Sequence, residues 1–79
     1  MAQLLNNETL VIGGGTYGVK STGSLDVQWQ IGSEAFTTIP NGDFTGVAGV
    51  ILDLPRCTIK VANAGVNTLF ISNVSGYDI

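Results

Sequence analysis

Thr9–Val19 reads TLVIGGGTYGV, and the role given to its glycines decides the fold class. Gly13-Gly14-Gly15-Thr16-Tyr17-Gly18 fits the spacing G-x-G-x-x-G and follows the strand-like run Leu10-Val11-Ile12. In a dinucleotide-binding βαβ unit such glycines open a helix whose N-terminal N–H groups and partial positive charge hold a pyrophosphate. Here the chain continues as VKSTGSLDVQWQI (residues 19–31), a short strand, a turn and a strand. A phosphate would meet no helix dipole. Glu34 stands near the offset of the acidic residue of such a fingerprint, but on a turn leaving a different strand. The glycines are therefore read as a tight turn or a close backbone approach.

The strongest periodic signal is LDVQWQI (residues 25–31). Leu25, Val27, Trp29 and Ile31 alternate with Asp26, Gln28 and Gln30, as on a strand with one face buried and one wet. CTIKVAN (57–63) repeats it, with Cys57, Ile59 and Val61 on one face and Thr58, Lys60 and Ala62 on the other. TLVIG, TYGVKS, AFTTI, GVILDL and NTLFISNV are further strand candidates, rich in β-branched or aromatic residues. Turn chemistry separates them: GGG, STGS, GSEA, PNGD, LPR and NAGVN. No stretch shows helical spacing with an N-cap, and eleven glycines argue further against helix. The expected fold is all-β, a small antiparallel β-sandwich or jelly-roll-like barrel of seven to eight strands. Residues 1–8 are expected to form a short N-terminal arm, and residues 9–79 a single β-sandwich domain.

At 79 residues a chain buries somewhat over about 60% of the surface it exposes unfolded, and one core supplies roughly 3–5 kcal/mol. One cysteine excludes an intrachain disulfide, and the lack of histidine removes the usual zinc ligand sets. Oligomerisation or incorporation into a larger assembly is the remaining way to stabilise so small a core. The composition agrees: 44% hydrophobic and 11% charged, against about 25% charged in an ordinary domain. The net charge of −3 has no cluster of either sign, so no nucleic-acid partner is expected. No apolar run approaches the roughly 18 residues of a membrane span, so no membrane partner is expected. The start MAQLLNNETL lacks the basic segment and apolar stretch of a secretory leader, and the chain is expected to be made and kept in a cytoplasm-like compartment.

With histidine absent and no carboxylate pair brought together by spacing, the chain is expected not to be an enzyme and to hold no metal or cofactor. Cys57 falls on an apolar strand face, where a thiol acts as a small buried hydrophobe. Trp29 is read as a core anchor. Asn41-Gly42, between two apolar runs, is a hairpin cue because both residues tolerate positive φ. Leu4 and Leu5 are adjacent, so one strand cannot point both at the same core. Gln3, Leu4, Leu5, Asn6 and Asn7 are accordingly the candidate assembly contacts, on an arm without which the body is expected to fold.

The order DVQWQIG (26–32), AFTTIPNGDFTG (35–46) and LDLPRCTIKV (52–61) resembles a group of small tailed-phage virion proteins. In these, a strand near a Trp precedes an F-x-x-I/V-x-x-G-x-F-T segment, matched by Phe36, Ile39, Gly42, Phe44 and Thr45. An L-P-x-C/G-x-I/L-K/R-V strand follows, matched by Leu54, Pro55, Cys57, Ile59, Lys60 and Val61. The likeness runs from about Gly23 to Val74. It implies a sandwich or jelly-roll subunit of the virion, made in the host cytoplasm: a capsid cement or decoration protein, often a trimer, bound to the major capsid protein or another virion protein. A tail or fibre component is the alternative, and a ligand- or sugar-binding β module a more distant one.

Overall fold

LDVQWQI and CTIKVAN, far apart in sequence, become neighbours at the centre of one sheet. In the computed structural model, which describes residues 2–74, Val27 stands opposite Val61 and Trp29 opposite Ile59. Such apolar cross-strand pairs are the unit of sheet stability. Val27, Ile59 and Val61 are fully buried.

Among the described residues eight strands form: β1 (Ala2–Leu4), β2 (Thr9–Ile12), β3 (Gly15–Ser21), β4 (Leu25–Gln30), β5 (Thr37–Phe44), β6 (Ala48–Leu54), β7 (Cys57–Ala62) and β8 (Leu69–Asn73). No helix occurs among the described residues, so β3, not a helix, follows the glycines. One sheet, here sheet A, has the order β1-β8-β3-β6, and the other, sheet B, β2-β7-β4-β5. Every pairing is antiparallel. First pairs with last, second with seventh, third with sixth and fourth with fifth, as in one long hairpin rolled into two layers. This is the jelly-roll order, a way of managing edges in an all-β chain. The chain passes between the sheets at every connection except β4–β5.

Between the layers, Leu4, Tyr17, Val19, Leu52, Leu54, Leu69 and Ile71 of sheet A face Ile12, Leu25, Val27, Ile39, Phe44, Cys57, Ile59 and Val61 of sheet B. Trp29 is partly buried against this cluster. Ser21, the one buried polar side chain among the described residues, is satisfied: its Oγ donates to the Gly46 carbonyl and accepts from the Ala48 N–H, both at 3.3 Å. That pins the β5–β6 turn to β3.

Three expectations change. The arm over residues 1–8 is, from residue 2 onward, built into the sandwich. β1 pairs with β8, Leu4 opposite Leu69, and residues 5–8 cross to sheet B through bonds from the Asn7 N–H to the Val61 carbonyl and from the Val61 N–H to the Glu8 carbonyl. The apolar side chain of Leu4 decides this, since it fills the core at 4% exposure. Secondly, Asn41-Gly42 makes no hairpin turn. Both residues lie inside β5, Asn41 at φ 63°, where the β4–β5 register shifts between Asp26 and Gln28. This is a bulge, the other structure that residues tolerant of positive φ serve. Thirdly, Ile31 leaves the buried face and is 48% exposed, because the Glu34 carboxylate accepts its N–H at 3.2 Å and Gly32 takes φ 69° in the turn. Residues 1 and 75–79 of the expected arm and domain lie outside the described residues.

Candidate functional site

The outer faces of the two sheets differ in chemistry. Strand alternation places Thr9, Val11, Asp26, Gln28, Gln30, Thr58 and Lys60 on the outside of sheet B, a mostly polar surface in which Val11 is the exposed apolar exception and the Lys60 ammonium sits 5.5 Å from the Phe36 ring centre. This is cation–π range.

The outside of sheet A is built otherwise. Reading across the strands, one row is Ser72, Gly18 and Ile51, and the next is Gln3, Phe70, Lys20 and Gly49. Two of these positions are glycine, so the face carries an open trough of about 770 Å³ with backbone for part of its floor. Ile51 leans over Gly18 and is still 62% exposed. Beyond it, Thr16 Oγ1 donates to Asp53 Oδ1 at 2.7 Å.

The trough ends at β6, which pairs with β3 and has no strand on its other side among the described residues. An open edge presents unpaired N–H and C=O groups and is ordinarily blunted by shortness, proline, bulges or charge. The other three edges among the described residues follow that rule. β1 has three residues, β2 has four, and β5 contains Pro40 and the bulge. β6 has seven residues, no proline and one charge, Asp53, and exposed Val47 precedes it. We take the outside of sheet A and the β6 edge together as the candidate site.

The residues singled out from sequence are only partly brought to it. Gln3 lies on this face, beside Phe70. Leu4 is in the core. Leu5, 51% exposed, is in the connection between the sheets. Asn6 is used internally, its Oδ1 accepting the Ala64 N–H at 3.0 Å, and the Asn7 backbone is tied to Val61. Sequence reasoning missed Gly18, Gly49, Ile51 and Phe70. The available signal was GVILDL itself, an apolar run with nothing to blunt it, whose edge position depends on long-range pairing.

Cys57 is buried, and burial pushes its thiol above the ordinary value. Among the described residues no group of three or more His, Cys, Asp or Glu is placed to hold a metal ion, and no helix is long and apolar enough to cross a membrane. No protein-family model matches the chain, and no curated protein or solved structure is similar to it at a significant level.

Proposed function

We propose that the chain is a non-catalytic structural protein of a tailed-phage virion, a capsid cement or decoration subunit that acts as a homo-oligomer on the shell. The observation that carries the assembly part is on the outside of sheet A: a glycine-floored, mainly apolar trough running into a seven-residue edge strand with one charge, on a chain with 11% charged residues. Exposed apolar surface of this kind marks association sites. The virion part rests on the likeness of residues 23–74 to small phage virion proteins, a trimer being the form it implies. The jelly roll agrees without choosing, since viral capsid domains, lectins and cupins all use it.

Quantitative mass spectrometry of particles purified from the phage that encodes the chain is the test. Copy numbers comparable with the major capsid protein are expected. A few copies per particle would move the reading to a tail or fibre component, and absence from the particles would overturn it.

A further inference from the structure

We propose that β6 pairs antiparallel with β6 of a second copy, joining two sheets A into one eight-stranded sheet about a two-fold axis at Ile51. The proposal rests on the reading of the chain as a self-assembling subunit and names the surface that it uses.

The occupant follows from the edges. A seven-residue open strand needs a partner of similar length that can bond along it. Among the described edges, β1 and β2 are too short, and β5 carries Pro40 and a bulge. β6 itself fits. Two-fold symmetry makes the contact self-complementary, and the register centred on Ile51 is the one that pairs all of Ala48–Leu54.

In that register the side chains agree on both faces. Inside, Val50 meets Leu52 and Ala48 meets Leu54 of the other copy, continuing the apolar lining. Val50 and Ala48 are only partly buried in one copy alone. Outside, Ile51 meets Ile51. Asp53 of each copy falls opposite Gly49 of the other, so the two aspartates are kept apart. Lys20 already flanks Gly49 on β3. The outer row across the seam is therefore Lys20, Gly49 and Asp53 of the second copy. Two strand spacings, about 10 Å, separate the charges, and Gly49 puts no side chain between them. The four-carbon stem of lysine can lie over that gap. Lys20 has no ion-pair partner among the described residues, and the seam supplies one twice by symmetry.

A single strand-to-strand seam is smaller than a standard interface of roughly 1,200–2,000 Å². A reversible dimer is therefore expected, strengthened where many copies sit on one support. With a three-fold contact as well, the seam would link trimers into a hexamer of D3 symmetry.

The test is oxidative cross-linking of the full chain carrying Ile51→Cys, with Val66→Cys as reference. Val66 is 96% exposed and lies in the β7–β8 connection, off β6, and buried Cys57 is common to both variants. Across the axis the two introduced thiols come within disulfide distance, with Cα atoms about 4.5–5.5 Å apart. Ile51→Cys should form covalent dimer at least tenfold faster than Val66→Cys at equal concentration. Lys20→Asp and Asp53→Lys, each alone, should weaken association about two- to fivefold per pair, and the double variant should restore it. Equal cross-linking rates in a chain that still self-associates would overturn the seam and leave the assembly reading standing. A chain that stays monomeric would overturn both.

Discussion

Gly42, Gly46 and Gly13 show how differently three glycines can be held. A Cβ on Gly42 would lie 2.7 Å from the Val27 carbonyl oxygen and 2.5 Å from Ile39 Cγ1. The carbonyl belongs to a neighbouring strand and cannot move aside, so Gly42→Ala should cost about 1–3 kcal/mol. Gly46 has open space but φ 71°, and Gly46→Ala should cost about 1–2 kcal/mol from backbone strain alone. Gly13 has open space and no such φ, so Gly13→Ala should lose nothing measurable by urea denaturation, the assay for all three. Cys57 gives a pH prediction. Below the ordinary thiol value of about 8.5 the group is protonated in the folded and unfolded chain alike, and stability does not depend on it. As pH rises from there toward the raised folded value, the unfolded chain releases its proton first. Unfolding is then favoured and stability falls. Urea midpoints measured from pH 7 to 10 should decline above that point, and Cys57→Ala, less stable throughout, should decline less.

At the scale of the element, β1 and β6 are the strands whose roles matter most. Leu4→Ala should destabilise by about 2–5 kcal/mol, most of what one small core supplies, while Leu5→Ser should stay within about 0.5 kcal/mol. Thermal and urea unfolding followed by circular dichroism would read both. Deleting residues 2–7 should likewise unfold the chain, because it removes β1 from β8. The sequence shows β4 and β7 plainly, since period-2 alternation is local and one face of each is wet. It also places most of the other strands, because Gly, Asn, Asp and Pro mark their ends. β1 escapes because three residues carry no period, and Leu4 is recognisable as core only once Leu69 is known to lie opposite it. Asn41-Gly42 misleads because a turn and a bulge ask for the same backbone freedom, and only the shifted register opposite Asp26–Gln28 separates them.

For the whole molecule, the jelly-roll order depends on pairings such as β1 with β8 and β2 with β7, which composition and periodicity do not encode. The candidate site is hidden for the same reason. Gly18, Gly49, Ile51 and Phe70 come from three strands, and nothing local marks GVILDL as an edge rather than an inner strand. Composition indicates few charges and no disulfide to stabilise a small core, and the mainly apolar trough outside sheet A is the surface on which the proposed association draws. The claim that the chain works by association is tested most directly by sedimentation equilibrium of the purified protein from submicromolar to high micromolar concentration, beside Ile51→Lys. Wild-type mass should rise reversibly with concentration. Ile51→Lys, on an exposed position and with an unchanged β spectrum, should stay at monomer mass at least tenfold further up the series. A wild-type chain that remains a folded monomer throughout would contradict the account.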